Sequence, residues 1–342
     1  MNGAPRIYLD WNASAPLRPE ARAAVAAALD ATGNPSSVHA EGRAARALVE
    51  RARAQVAALV GCAPDQVTFT AGATEAAQVL ARLPGSVEVE PTAHDCLWAQ
   101  RREGAGPRTR AQGLANNETG AVQAPDRAGA DLLLADVAQL AGRMPFDFAA
   151  SGADLAILSA HKLGGPKGVG ALIARDPAVP ALALGGGQEG GRRAGTENLP
   201  GIAGFGAAAA AAARDLADGA WDRVAELRNI LEGALSEAAP DAIFFARDGA
   251  RLPNTSLFAV PDWPAETQVI EMDLAGFAVS SGAACSSGKV GPSRVLRALG
   301  TPDDLAGCAL RVSLGPTVTE AQVRAFAAAW TARRARRRAR AA

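Results

Sequence analysis

Residues that carry much chemistry are scarce in this chain, which holds three histidines and four cysteines among 342 residues. Cys62, Cys96, Cys285 and Cys308 stand far apart, without the short spacings of a zinc site or the density of a disulfide scaffold. Neither a metal centre nor a cystine framework is therefore expected. Long apolar runs are missing too. No stretch approaches the ~20 residues that a bilayer demands, and the Ala207–Ala213 run is short and weakly hydrophobic. The opening Met1-Asn2-Gly3-Ala4-Pro5-Arg6 lacks the apolar centre of a secretory signal. These absences argue against a membrane role and make a cytoplasmic location, with reduced thiols, the expectation. An excess of one charge is also lacking, since 35 Lys and Arg face 35 Asp and Glu. That removes the general electrostatic ground for binding nucleic acid. The local exception is the C-terminal set Arg333, Arg334, Arg336, Arg337, Arg338 and Arg340. Alanines separate these arginines; a solvated helix end is the plain reading, and a partner contact is the other.

What is present is ordinary globular material, 49% apolar and 20% charged, and the length suits one large and one smaller domain. Strand-like and helix-like runs alternate. Arg43 to Val60 has helical spacing and is closed by Gly61. Val67-Thr68-Phe69-Thr70 is short and β-branched, and runs through Ala71-Gly72-Ala73-Thr74-Glu75 into an alanine-rich helix. Leu132 to Ala135 reads as a buried strand ending at Asp136, and Leu155 to Leu158 as another, ending at Ser159-Ala160-His161-Lys162. Val169 to Ala174 resumes β character. Ala207 to Arg214 and Trp221 to Leu235 look helical, Thr255 to Val260 looks like a strand, Ser280 to Pro292 like a loop, and a closing helix starts at Glu320. Such alternation argues for a mainly parallel sheet with both faces covered. Ligands then bind beyond the carboxyl ends of the strands, where these polar residues fall.

Three of those strand ends supply different chemistry. The turn at Ala71 to Glu75 offers backbone N–H groups, a hydroxyl and a helix start to an anion, though small residues at turns have many uses. Asp136 is a carboxylate at a buried strand end and needs a cationic partner. Lys162 is either a surface lysine on a Gly-rich turn or a desolvated amine suited to imine formation. Carboxylate, lysine and phosphate cradle together are what pyridoxal 5'-phosphate (PLP) requires: one for the ring nitrogen, one for the aldehyde, one for the phosphate.

With these residues in place the chain resembles the class V aminotransferase-like PLP enzymes, and within them the cysteine desulfurases of iron–sulfur cluster assembly. The likeness runs through Ile7-Tyr8-Leu9-Asp10-Trp11-Asn12-Ala13, Gly33-Asn34-Pro35-Ser36-Ser37-Val38-His39, Asn116-Asn117-Glu118-Thr119-Gly120 and Asp136-Val137-Ala138-Gln139. It continues in Ser159-Ala160-His161-Lys162, Gly185-Gly186-Gly187-Gln188-Glu189, Arg193-Ala194-Gly195-Thr196, Ser280 to Gly288, and Arg311-Val312-Ser313-Leu314-Gly315. The resemblance implies an α/β fold of type I PLP-dependent transferases, a large domain with a mainly parallel seven-stranded sheet plus a smaller α/β domain. It places the large PLP-binding domain at 12–217 and the small domain, with the catalytic cysteine loop, at 1–11 and 218–342. By the same likeness Lys162 is the imine-forming lysine, His94 stacks on the pyridine ring and helps move protons, Asp136 pairs with the ring nitrogen, and Gln139 bonds the phenolic oxygen. Ala73, Thr74, Ser159 and His161 hold the phosphate, Asn117 also touches the cofactor, and Thr196 reaches the phosphate of the other subunit, implying a homodimer. Asn34, Asn117 and Arg311 clamp the substrate carboxylate, a task that the planar fork of arginine suits; a buried structural ion pair is the other reading of Arg311. His39 stands between a substrate-side loop and structural packing.

PLP alone does not choose the reaction. Cys285, within Ser280-Ser281-Gly282-Ala283-Ala284-Cys285-Ser286-Ser287-Gly288, sits among small residues without an apolar pattern. That context suits a mobile loop carrying a nucleophilic thiol, as in the desulfurases with an extended catalytic loop. The implied activity takes sulfur from L-cysteine as a persulfide on Cys285, releases L-alanine, and hands sulfur to an acceptor or iron–sulfur scaffold protein. Selenocysteine lyase, transaminase and a non-catalytic assembly partner are the competing readings. Cys308 lies in an apolar setting and reads as a core residue; Cys62 and Cys96 receive no role. Ala160 replaces the glycine common before the His-Lys pair. The segments between Glu75 and His94 and between His94 and Asn116 look shorter than in longer relatives.

Overall fold

The computed structural model describes residues 6–282 and 293–341, and these form two compact units. One unit is continuous apart from a short excursion, comprising Ser14–Ala115 and Gln123–Asp218; the other gathers residues up to Ala13, Asn116–Val122, and the chain from Gly219 onwards.

In chain order the elements begin with β1 (Ile7–Tyr8), α1 (Pro19–Leu29), α2 (Ala40–Val60), β2 (Val67–Thr70), α3 (Ala73–Ala76), α4 (Val79–Arg82), β3 (Ser86–Val89), α5 (Asp95–Trp98) and β4 (Arg108–Gly113). Next come β5 (Leu132–Asp136), β6 (Leu155–Ser159), β7 (Gly170–Ala174), α6 (Leu199–Ala217), α7 (Ala220–Ala238), β8 (Ile243–Phe244) and β9 (Thr255–Ala259). The chain closes with α8 (Ala265–Leu274), β10 (Phe277–Ala278), β11 (Ser280–Ser281), α9 (Arg294–Ala298), α10 (Asp303–Ala306), β12 (Ala309–Ser313) and α11 (Glu320–Ala341).

The first unit is built on a sheet of order β2-β7-β6-β5-β4-β3, in which β3 to β6 run parallel and β7 is antiparallel to both neighbours. Every residue of β2, β6 and β7 is buried, the pattern of strands covered on both faces. The alanine run falls in α6, where small side chains let helices approach closely. A Cβ on Gly206 would stand 2.5 Å from the Ala52 Cα of α2, and one on Gly204 2.6 Å from Val25 of α1. Gly61 ends α2 in the left-handed conformation at φ 65°, as a helix-ending glycine should. The alanine-rich stretch after Glu75 is two single-turn helices rather than one helix.

Among the described residues this mainly parallel sheet has six strands, where seven were expected. The shortened connection between β3 and β4 explains the difference. It holds only α5 and a bend, and the outer edge of β3 receives one antiparallel bridge, Val87 to Arg102, in place of a further strand. Arg102 finishes that edge by donating to the carbonyls of Gly85 (2.9 Å), Leu80 (2.6 Å) and Leu83, so the edge backbone is satisfied by a side chain.

The second unit carries a four-stranded antiparallel sheet, β11-β12-β9-β8, and the short parallel pair β1-β10. Trp263 and Trp330 stack at 5.3 Å, and Phe258 meets Trp330 edge-on at 5.3 Å. Gln268 is fully buried among them with its bonds made: Nε2 donates to the carbonyls of Trp263 (2.8 Å) and Cys308 (2.9 Å), and Oε1 accepts from Trp330 Nε1 at 2.9 Å. Ser280 and Ser281, expected in a loop, pair with Arg311 and Leu310. The arginine tail is less solvated than expected. Arg333 donates to the Glu271 carbonyl, Arg337 to that of Asp262, and Arg334 and Arg338 both hold Asp241. Arg336 and Arg340 remain exposed.

Candidate active site

In the first unit the strand ends gather the chemistry. Asp136 closes β5; its Oδ1 accepts from the Ala138 N–H at 2.9 Å, the short-range bond by which an aspartate stops a strand. Burial pushes its carboxyl pKa up, opposed by that N–H and by the positive charges of His94 and Lys162, so these three side chains share one electrostatic neighbourhood. His94 caps the single turn α5, its Nδ1 accepting from the Cys96 N–H at 3.2 Å, and the Cys96 thiol bonds the same ring. Burial raises the Cys96 pKa despite that bond.

Lys162 ends the 3-10 turn Ala160–Lys162 that follows β6, and is half-buried. Beside it, burial and the charges of Lys167, Arg143 and Lys162 itself bring His161 down to about 4, burial being the largest cause and Lys162 the next; the ring is neutral at pH 7. His161 Nδ1 lies 3.3 Å from Ser14 Oγ. Arg143, which the sequence reading passed over, is 2% exposed; it donates to Gln139 Oε1 at 2.6 Å and to the Lys162 carbonyl at 3.4 Å. Its place four residues beyond Asp136-Val137-Ala138-Gln139 gave no periodic signal to find it by.

The turn after β2 lies beside Ser159. A Cβ on Gly72 would be 4.0 Å from Ser159 Oγ, and one on Gly170 only 2.6 Å from the Gly72 Cα, so β7 meets this turn through two glycines. No side chain caps α3, which leaves the first N–H groups at Ala73 and Thr74 for an anion. Glu75 accepts from the Ala71 N–H and from Arg193 Nε at 3.0 Å. Thr196 is exposed and lines a cavity of about 180 Å³ with Thr70, Ala71 and Arg193. Asn34 is exposed and bonds the Ser36 N–H at 2.9 Å, while His39 caps α2 by accepting from Gly42 at 3.3 Å, a structural duty. Glu189 pairs bidentately with Arg53 at 2.7 and 2.9 Å and accepts from the Phe69 N–H.

Asn117 and Arg311 belong to the second unit and meet there. Arg311, wholly buried on β12, donates from Nη1 to the Asn117 carbonyl (3.0 Å) and from Nη2 to Asp10 Oδ1 (2.8 Å); its buried Nε has no partner among the described residues. The ion pair and an open donor thus coexist in one side chain. Asn12 Nδ2 donates to the Asn117 carbonyl (3.1 Å) and Thr255 Oγ1 (2.9 Å), and Asn254 Nδ2 to Asn12 Oδ1 (3.0 Å). Cys285 lies outside the described residues. Among the described residues no cluster of metal ligands occurs, and no helix is long and apolar enough to cross a membrane.

The donor set fits PLP. A desolvated carboxylate with a raised pKa seeks a cationic ring nitrogen, a half-buried lysine stands in its field, and an uncapped turn offers N–H groups beside a serine hydroxyl.

The comparisons with known proteins agree. The aminotransferase class-V model matches residues 7–95 and 107–326, and the chain belongs to that family, whose members are PLP-dependent. Within it the similar curated proteins are cysteine desulfurases. One from Frankia sp. (strain EuIK1) is 39% identical over 94% of this chain and 89% of that protein; the cysteine desulfurase IscS of Dictyoglomus turgidum is 32% identical over 92% and 91%. The solved NifS-like protein of Rickettsia africae superposes with a TM-score of 0.85 at 29% identity, covering 95% of this chain and 98% of that one.

Proposed function

We propose that this chain is a PLP-dependent cysteine desulfurase that converts L-cysteine to L-alanine and takes the sulfur onto Cys285 as a persulfide. The observation that carries the reading is the buried Asp136 carboxylate in the field of Lys162 and His94 at the strand ends, in a family of PLP enzymes. The cofactor domain is read as 12–217, a range that takes in the first unit up to Ala217 together with Asn116–Val122 of the second, and the small domain as 1–11 and 218–342. Asp136 would hold the ring nitrogen, Gln139 the phenolic oxygen, and Ala73, Thr74, Ser159 and His161 the phosphate, joined by Thr196 of a second subunit in a homodimer. When bound, PLP supplies an electron sink for the α-carbon and the aldehyde that captures the amine.

The chain's own residues do the rest. Arg311, with Asn117 and Asn34, takes the substrate carboxylate, and its Nε has no partner among the described residues. Lys162 Nζ removes the α-proton and returns protons to carbon. His94 orients the substrate and accepts the proton of the attacking thiol, because a thiol of ordinary pKa is mostly protonated at neutrality. The Cys285 Sγ attacks the substrate sulfur. An S–S bond forms as the substrate C–S bond breaks, the C–S electron pair stays with carbon, and protonation there yields alanine. A soluble acceptor or iron–sulfur scaffold protein then collects the persulfide sulfur in the cytoplasm.

The test is alanine production from L-cysteine with a reductant, wild type beside Cys285→Ala, with mass analysis of the Cys285 peptide. Loss of alanine together with loss of a persulfide on that peptide supports the assignment. Equal alanine output from both proteins refutes it.

A further inference from the structure

A buried arginine of the first unit joins two of its strand-end turns. Beyond β5 the chain turns tightly: the Leu140 and Ala141 N–H groups donate to the Val137 carbonyl at 3.0 and 2.8 Å, and the Arg143 N–H to that of Leu140 at 3.0 Å. Gly142, immediately before Arg143, is left-handed at φ 73°. The side chains of Gln139 and Arg143 are both buried, and Arg143 Nη1 donates to Gln139 Oε1 at 2.6 Å, a charge-assisted bond. Its Nη2 donates to the Lys162 carbonyl at 3.4 Å. Because β5 and β6 are parallel neighbours, one side chain ties the turn after the first strand to the turn after the second. Burial, then Lys162, Lys167 and this same Arg143 charge, bring the adjoining His161 down to about 4.

The chemistry of the two partners decides which way the Gln139 amide faces. A guanidinium has five N–H donors and no acceptor, so the Gln139 atom that meets it is the oxygen, and the NH₂ group is the other end. Without such a neighbour a glutamine turns its amide over at little cost, because the two ends have nearly the same shape. To a phenolic oxygen carrying negative charge, one orientation offers a donor and the other a second acceptor. We propose that Arg143 is a positioning residue, which fixes the Gln139 amide with its N–H end offered to the phenolic oxygen of PLP and ties that amide to the Lys162 turn. The proposal rests on the reading of Gln139 and Lys162 as cofactor residues. The phenolic oxygen and the aldehyde are neighbouring substituents of the pyridine ring, so the residues that meet them need a fixed spacing, and a planar side chain bonded to both turns supplies it. Burial matters here, since a charged donor away from water holds its acceptor more firmly than an exposed one.

The experiment compares Arg143→Met, Arg143→Lys, Gln139→Ala and the double variant of Gln139→Ala with Arg143→Met. In the holoenzyme, the near-visible absorption of the bound cofactor is titrated with pH. A donor on the phenolic oxygen draws electron density from the lysine nitrogen beside it and lowers the affinity of that nitrogen for a proton. Arg143→Met and Gln139→Ala should each raise the midpoint by about one to two pH units, the worth of a hydrogen bond to a charged oxygen. The double variant should rise no further, because the two residues act as one, and Arg143→Lys, with its cationic donor, should recover most of the shift. A wild-type midpoint in Arg143→Met beside a raised one in Gln139→Ala overturns the proposal and leaves the cofactor reading of Gln139 standing. A wild-type midpoint in Gln139→Ala removes that reading and the proposal with it. Fully additive shifts also overturn the proposal, since Arg143 would then act by its charge alone. The cofactor-free protein supplies a second readout: imidazole NMR of Arg143→Met should show the His161 pKa above its value of about 4, and an unchanged value overturns the placement of the guanidinium. Where Arg143→Met does not fold, a midpoint in Arg143→Lys as high as in Gln139→Ala overturns the proposal by itself.

Discussion

The two units hold their functional residues by different means. In the first, Asp136, Lys162 and the Ala71–Glu75 turn hang on the carboxyl ends of strands whose own hydrogen bonds fix them. In the second, Asn117 and Arg311 are held by side chains from segments far apart in sequence: Asp10, Asn12, Asn254 and Thr255. The contrast teaches that chemistry and stability are separable at the sheet and joined in the network. A residue at a strand end is replaceable without disturbing its support, whereas a residue inside a buried polar network is part of the support.

Lys162→Ala offers the largest expected effect and the sharpest test of the first half. If Lys162 has its proposed role, the substitution should lower desulfuration by at least about 10³-fold, within the range of a lost acid–base group, and abolish the near-visible absorption of the bound cofactor. The urea midpoint of the cofactor-free protein should hardly move; a large drop would break the claim of separability. Arg311→Ala tests the other half. Removing one member of a buried pair costs about 3–5 kcal/mol, and loss of the proposed carboxylate clamp should raise KM strongly. A variant with raised KM and wild-type urea stability would show that the network is not structural. Asn254→Ala, remote from the chemistry, removes donors to Asn12 Oδ1 and the Leu314 carbonyl, both at 3.0 Å. It should cost about 1–3 kcal/mol, and KM should rise with it; a KM at the wild-type value would uncouple the two.

The smallest effect concerns pH in the first unit. Burial lowers His161 from 6.5 to about 4, so the unfolded chain binds this proton more readily than the folded one. Stability is therefore intact above pH 6.5 and declines as pH falls towards 4. Because the ring is half-exposed, the loss between pH 7.5 and 5 in the cofactor-free protein is about 1 kcal/mol after allowance for screening. His161→Asn should show a shallower acid slope in urea titrations; an identical slope would remove His161 as its source.

Much of the first unit was legible in the sequence. Its strands are short apolar runs that end in polar residues, and Leu132–Asp136 and Leu155–Ser159 were visible for that reason. β3 and β4 were not, because Ser86–Val89 and Arg108–Gly113 alternate with charged residues at the thin edge of the sheet. The same shortened edge explains why the strand count came out one too high. Of the candidate residues, the pattern pointed to those at strand ends. Arg143 and Asp10 act through contacts 19 and 301 residues away along the chain, and no periodicity encodes such pairs. The arginine tail misled for a related reason: its acceptors are carbonyls and Asp241, invisible to charge counting.

The surroundings of the described cysteines have a consequence for chemical labelling. Burial pushes Cys62 up to about 12 and raises Cys96 and Cys308 as well, so each of the three carries less thiolate at neutral pH than an unshifted thiol and reacts more slowly with electrophiles that need it.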